Sequence, residues 1–553
     1  MKSLRSNRGV TLITLIIYVI LLIIVLGMLA TITSNFRSNL NNLNEAYIKK
    51  GQILSEDNVE AVASDIVELG RKDGEDFAVA VGALAGGSAG IGGSVLVSNV
   101  KNNTKAFIAD STVDAARTLK VRATGKQDIV SYLPTAALAA SGGISASVGV
   151  NTIDSSAEAY IYESENGETV INGDSSKASA LQDVEVSAES DSRIHTTIAA
   201  GSDAGGAGVG AGIGVSTING KTSAGIGAGS EVNAGRNIKI ESVNTRKTDD
   251  LAVSAAAGGI GAANGSILVS NIGSNLDADS KEATEGVQGA VNEQLAANSN
   301  ITKETFGRGG LLDSTAEQMQ AFTADVNEAF TDKVLDDKGT SAFVGANAKI
   351  NAGGKTDISA DDYIKTDLTA GGASLAGMAS VGASVAVANN SSSTKAFIGD
   401  NAEVTSLGGL DVKASSEVLE SDVKAILGSG SVSYALGAAV AKVNSNNNTL
   451  AYLSDYVRVN NSGAVNVNAA SKADINVQTV GAVLGGAAAV GASVAGIEKK
   501  GSTSAFTGDS VTVDNAESFK IKASTESDIS AEAEAGSGGG AAANAQELSG
   551  HRH

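Results

Sequence analysis

Residues able to do chemistry are few in this chain, and their spacing suits no obvious catalyst. There are three histidines, His195, His551 and His553, and no cysteine. His195 lies in the polar stretch DSRIHTT with no second histidine near it, and the other two sit in a polar tail that could bind a metal only weakly. A nucleophile would have to be Ser, Thr or a carboxylate without an evident histidine base. Neither a disulfide framework nor a Cys-based metal site can form. Gly220-Lys221-Thr222 and Gly354-Lys355-Thr356 carry the end of a phosphate loop, but the glycine needed upstream is Val215 in one and Lys349 in the other. Both are assigned to turns. The run GGSAGIGGS at 86–94 lacks the aspartates of calcium-binding repeats. Asp249-Asp250 and Asp361-Asp362 could hold calcium loosely between turns, or belong to a solvated face. The expectation is no enzyme, no cofactor and no resident metal.

The elements that would position these residues are built from small side chains. Of 553 residues, 66 are glycine and 1 is proline; there is no tryptophan, and aromatics make up 3%. An enzyme core of this length normally buries many large side chains. Glycine without a period of three excludes collagen, and the alternation of Val, Ile and Ala with polar residues argues against disorder. The net charge of −21 disfavours nucleic acid and anionic lipid as partners.

The most informative property is a repeat. A triplet recurs as Ala106-Phe107-Ile108, Ala159-Tyr160-Ile161, Ala224-Gly225-Ile226, Ala342-Phe343-Val344, Ala396-Phe397-Ile398, Ala451-Tyr452-Leu453 and Ala505-Phe506-Thr507. A second marker follows each, centred on Val121, Val186, Ile240, Ile358, Val412, Val467 and Ile521, at spacings of 65, 54, 118, 54, 55 and 54 residues. Each marker alternates: Leu410, Val412 and Ala414 point one way, Asp411, Lys413 and Ser415 the other. Period two means a strand with one buried and one wet face. A third element is rich in Ala and Gly, as at 370–390 and 481–496. One such unit buries too little to fold alone, so copies must stack, each strand pairing with its equivalent one turn on. The fold class expected is all-β: an elongated parallel β-solenoid of about seven 54-residue repeats over 77–274 and 341–546. A β-sandwich array is the rival, but its domains run nearer about 100 residues and usually carry a large buried aromatic.

Two segments depart from the repeat. Residues 275–340 hold helical candidates at 281–298 and 313–334, with Met319, Phe322, Val326 and Phe330 on one stripe and Asp313 in a capping position. This predicts a helical hairpin projecting between two repeats, the candidate site of partner contact or else a hairpin docked on the sheet. At the other end, Lys2, Arg5 and Arg8 precede a charge-free run from Val10 to Ile32. As a helix at roughly 1.5 Å per residue, it spans a hydrocarbon core of about 30 Å, so 10–33 is read as a transmembrane helix with its amino end in the cytoplasm. Leu40, Leu43 and Tyr47, then Val59, Val62, Ile66 and Leu69, recur at helical spacing, making 34–76 a helical spacer. Residues 547–553 are a tail.

The stretch Arg8-Gly9-Val10-Thr11-Leu12-Ile13-Thr14-Leu15 resembles the processing site of type IV prepilins and pseudopilins. That resemblance implies a basic leader, 1–9, cut after Gly9 by a prepilin peptidase, with Val10 as the methylated new terminus. Pilins carry glutamate at the fifth mature position, where this chain has Thr14, which bears on filament assembly rather than on processing. The repeats from about 77 to 545 resemble leukotoxin-type filamentous adhesins and autotransporter passengers, which implies a surface-exposed β-helical stalk. No carboxy-terminal barrel or two-partner secretion domain accompanies them in this sequence. The function expected is a bacterial cell-surface adhesin or structural envelope protein, anchored through 10–32 with its repeats extracellular, secreted or filament-incorporated. It would meet a host or neighbouring-cell receptor through many weak contacts. It would also self-associate through the open carboxy-terminal edge of the solenoid. A pilin-like filament subunit, a secreted toxin and a β-helical polysaccharide-active enzyme are the alternatives.

Overall fold

The computed structural model describes residues 36–72, 75–76, 82–164, 167–174, 179–273, 339–460, 462–540 and 542–552. Among them every regular element is a strand. Residues inside the strands alternate strictly: in the back strand of the second coil, Leu119, Val121 and Ala123 are buried while Lys120 and Arg122 face out. A strand with one such apolar face must cover it. Here the chain does so by winding on itself.

Each coil has three strands. A front strand of about twenty residues runs out, a short cap strand crosses, and a back strand of similar length returns. The second coil comprises Ala89–Ala109, Thr112–Ala115 and Thr118–Ala139, and the third Gly142–Tyr162, Val170–Ile171 and Asp183–Ala204. The fourth is Ala207–Ile226, Glu231–Ala234 and Ile238–Gly258. The fifth has a divided front strand, Gly261–Gly273 and Thr340–Val344, then Lys349–Ala352 and Thr356–Ala376. The sixth is Ala379–Ile398, Glu403–Ser406 and Leu410–Ser431, and the seventh Tyr434–Leu453, Arg458–Asn460 and Ala464–Gly485. The eighth is Ala488–Lys500 with Thr503–Thr507, Thr512–Asp514 and Ser518–Gly539, and Ala542–Arg552 begins another front strand. Equivalent strands pair in parallel into front, cap and back sheets, the arrangement of a parallel β-solenoid.

The marker centres stack one upon the next: Val121 on Val186, then Ile240, Ile358, Val412, Val467 and Ile521. The one interval of 55 is explained by an extra residue in the back strand of coil 6, where the register shifts past Leu419. Three expectations are corrected. The seven marked repeats are coils 2 to 8, and coil 1 lies in the supposed helical spacer, as strands Phe36–Lys49, Gln52–Ser55 and Val59–Leu69. There Ala46-Tyr47-Ile48 pairs with Ala106-Phe107-Ile108 as another triplet. The long insertion leaves from inside one front strand, between Gly273 and Thr340, not from between two repeats. Finally, the described body is a slab rather than a rod: strands of 20–22 residues at about 3.3 Å per residue run about 70 Å, whereas nine strands about 4.8 Å apart rise only about 40 Å.

The interior changes along the strands. At the cap, three sheets enclose a core of Ile, Val, Leu and Ala, including Ile108, Val113, Val121, Ile240, Ile350 and Val412. A second apolar core, with Leu133, Ile153, Ile198 and Leu268, lies further along between front and back sheets. Between the two runs a belt of buried polar residues, among them Ser190, Asn244, Asp362, Ser392 and Ser416. Beyond the second core the sheets converge on two-residue turns that join one coil to the next. At several of them the first turn residue has no room for a side chain. A Cβ on Gly259 would lie 2.1 Å from the Gly205 carbonyl oxygen, and one on Gly377 would lie 2.1 Å from that of Gly259. The turn into the cap carries a left-handed residue in most coils, Gly229, Asn347 and Asn401 in coils 4 to 6 but also Lys50, Asp110, Tyr456 and Ser510 elsewhere.

Candidate functional site

The outer faces of the two long sheets carry ladders made by the repeat itself. In the front strands the first and third triplet residues point inward, so the middle one points out. Tyr47, Phe107, Tyr160, Phe343, Phe397, Tyr452 and Phe506 therefore form a column up the front sheet near the cap. The rings of Phe343 and Phe397, Phe397 and Tyr452, and Tyr452 and Phe506 are stacked 5.4, 5.1 and 5.0 Å apart. Coil 4 breaks the column with Gly225. The Phe343 ring lies over that glycine, where a Cβ would be 2.5 Å from it, and reaches Tyr160 at 6.0 Å. Stacking occupies both faces of Phe397 and Tyr452, so this part of the column shows a ligand mainly ring edges. It stabilises the register more than it offers a platform.

The back sheet carries charge. Lys120 Nζ lies 3.5 Å from Glu185, and Asp411 accepts from both Lys355 and Lys413 at 2.7 Å. Burial opposes ionisation of Asp411, but these two lysines bring its pKa down to about 2. Further along, His195, Asp249, Asp367 and Asp422 stack in successive coils. His195 Nδ1 is 3.1 Å from Asp249 Oδ2, and that carboxylate raises the imidazole pKa against the effect of burial. Asp367 is raised by burial and then by Asp249 and Asp422 on either side.

The paired aspartates do not act as pairs. Neighbours on a strand face opposite ways, so Asp249 and Asp361 are on the outer face while Asp250 and Asp362 are in the interior. Neither pair can close on one calcium ion, and no group of three His, Asp or Glu among the described residues is placed to hold a metal. Asp361 is pushed up to about 6, by burial first and then by Glu241 and Asp357.

The interior of coils 4 and 5 is the unusual chemistry of the molecule. The inward face of the coil 4 back strand reads Asn244, Arg246, Thr248 and Asp250, opposite Gly214, Ser216 and Gly220 of its front strand. Arg246 Nη2 donates to both carboxylate oxygens of Asp362, at 2.8 and 2.6 Å, and Ser392 donates to the same carboxylate. Both ionic side chains are wholly buried, and Nε and Nη1 of Arg246 have no hydrogen-bond partner. Asp250 faces Ser216 and Thr196 without closing a hydrogen bond, and burial pushes its pKa up to about 7. The pair sits level with the interruption of the coil 5 front strand: Asn219 pairs with Gly273 and Thr222 with Thr340.

Several residues singled out by sequence lie elsewhere. Gly9, Val10 and the apolar run 10–33 are outside the described residues, as are Met319, Phe322, Val326 and Phe330. His553 is outside them too. Gly220-Lys221-Thr222 falls inside a front strand rather than a turn, while Gly354-Lys355 does occupy the turn before a back strand. Arg246 was not anticipated at all. Its signal was a lone arginine at an inward position of an alternating marker strand, the parity that elsewhere holds Val, Ile or Ser. Compared with known proteins, the chain matches no family model, no curated protein and no solved structure.

Proposed function

We propose that this chain is a bacterial cell-surface adhesin or structural envelope protein, held at the membrane through residues 10–32 and displaying the solenoid outside the cell. One observation carries the proposal: equivalent strands stack in register, so outward side chains of related chemistry, charged on the back sheet and aromatic on the front, recur from coil to coil and offer similar weak contacts many times. Multivalent contact with another cell or with the envelope gains avidity from such repetition, without a single deep pocket. The acidic balance of −21 favours partners other than nucleic acid. The receptor is then a host or neighbouring-cell surface group.

Protease treatment of intact cells tests the display. Peptides from 36–552 are expected in the supernatant before lysis; their appearance only after lysis overturns the proposal. Mass spectrometry of the envelope-bound chain tests the anchor. A methylated Val10 supports cleavage after Gly9 by a prepilin peptidase, and an intact Met1 excludes it.

A further inference from the structure

Ionic side chains recur on the outer face of the back sheet from the cap as far as Lys424, and then stop. The next three outward columns stack in register from coil 2 to coil 7, and Asp203 is their one ionisable residue. The middle column holds only glycine and alanine: Ala136, Gly201, Ala255, Ala373, Gly428 and Ala482. It is a groove between two ridges. Val253 and Ile426 stand on its side toward the cap, both exposed. Leu138, Leu375 and Leu484 stand on its side toward the turns, 54%, 65% and 65% exposed. This second ridge is continuous through coils 5 to 8, because Leu375 leans over Gly430 and Leu484 over Gly538. A Cβ on either glycine would lie 3.0 or 3.1 Å from a leucine methyl.

Single exposed leucines are ordinary, but a contiguous apolar face of this extent is not. The turn residues Ile260, Met378 and Val432, all exposed, extend it at its margin. Six strands about 4.8 Å apart and four outward positions about 6.6 Å apart make it about 29 by 26 Å, an area of about 750 Å². The largest patch on a typical monomer covers about 300–600 Å², whereas each partner in a stable pair contributes about 800 Å². We propose that this face joins two copies of the chain about a two-fold axis. Such an interface sets one surface against itself, so the surface must be self-complementary. This one carries both the leucine ridge and the groove that receives it, and with no column of charge on it, it meets its own copy without repulsion. The acidic residues at its border toward the cap, Asp249, Asp367 and Asp422, disfavour an anionic membrane as the occupant.

Sedimentation equilibrium of the full chain in density-matched detergent is expected to give twice the chain mass at micromolar concentration. Leu375→Glu with Leu484→Glu puts charge on the ridge at surface positions and is expected to leave only single chains. Because the chain has no cysteine, one introduced thiol locates the contact. Ala255→Cys and Ala373→Cys, near the middle of the groove, should each bridge two chains through a short bismaleimide. Val490→Cys, exposed on the outer face of the front sheet, should react without bridging. Single chains in the unaltered protein overturn the proposal. So does a pair that survives the two glutamates, as one held by residues 10–32 would, or one that Val490→Cys bridges as well as the groove thiols do. Should the glutamate variant fail to fold, the thiols decide, and no bridge from either groove position overturns the proposal.

Discussion

The two ends of every coil solve the same packing problem in opposite ways. At the cap, three sheets meet, the space is wide, and Ile, Val and Leu fill it. At the opposite edge, two sheets close on a two-residue turn, and in coil 4 the interior narrows until glycine stands where a side chain would meet backbone. A Cβ on Gly210 would lie 2.6 Å from the Ala255 carbonyl oxygen. One strand thus passes through both regimes within about 70 Å, which teaches that the high glycine content is no sign of a weak fold. It records the taper of the coil. Between the regimes the polar belt holds the groups with most at stake, because buried polar atoms stabilise only when satisfied.

The largest effect is expected in that belt. Asp362→Ala leaves Arg246 charged, buried and without its carboxylate, and should lower stability by about 3–5 kcal/mol, read from the urea midpoint. Replacing both, Arg246→Met with Asp362→Leu, should recover most of that loss. A double variant as unstable as Asp362→Ala alone would show that the belt needs the ion pair itself.

Next comes Asp250, whose folded pKa is near 7 against an ordinary 3.8. From about pH 4 to about pH 7 the folded chain keeps a proton that the unfolded chain has lost, so stability falls as pH rises through that window. Above it the full penalty, up to about 4 kcal/mol, is in place. Asp250→Asn should therefore melt close to the parent chain near pH 4 and increasingly above it toward pH 7. Parallel melting curves across that range would place the proton elsewhere.

The taper itself is tested by one added methyl against one removed. Gly210→Ala should cost about 1–3 kcal/mol, since backbone rather than a flexible side chain stands in the way. Ile240→Val, in the wide core, should cost about 0.5–1.5 kcal/mol. If enlarging the edge were the milder change, the sheets there would be further apart than the glycines imply.

Much of this was legible in the sequence. The marker spacings gave the stack and its register, because residues such as Val412 and Ile521 repeat an alternation that only a strand imposes. Coil 1 was hidden for a physical reason. Among the described residues it stands at the edge of each sheet, and apolar residues fall on both faces: Val62 and Ile66 point out and are exposed, while Val59 points in. The broken alternation of Val59, Val62, Ile66 and Leu69 imitates a helix. The Arg246–Asp362 pair was illegible because its partners are 116 residues apart, the intervening insertion hiding that they occupy adjacent coils. The split of Asp249-Asp250 across the sheet, by contrast, followed from strand parity and could have been read from Ile240 alone.

The smallest effect expected lies on the outer face near the cap, where inner and outer surfaces of one strand can be compared directly. Ala396 and Ile398 are wholly buried, while Phe397 between them stacks between Phe343 and Tyr452. Phe397→Leu keeps an apolar side chain of similar reach and removes only the ring contacts, so the loss should be about 0.5–1.5 kcal/mol. Because the column already tolerates Gly225, where Phe343 leans across to Tyr160, the loss should fall toward the lower figure, read as a small drop in melting temperature. A loss matching that of a buried core truncation would mean that the column, and not the inward Ala and Ile, sets the register of the front sheet.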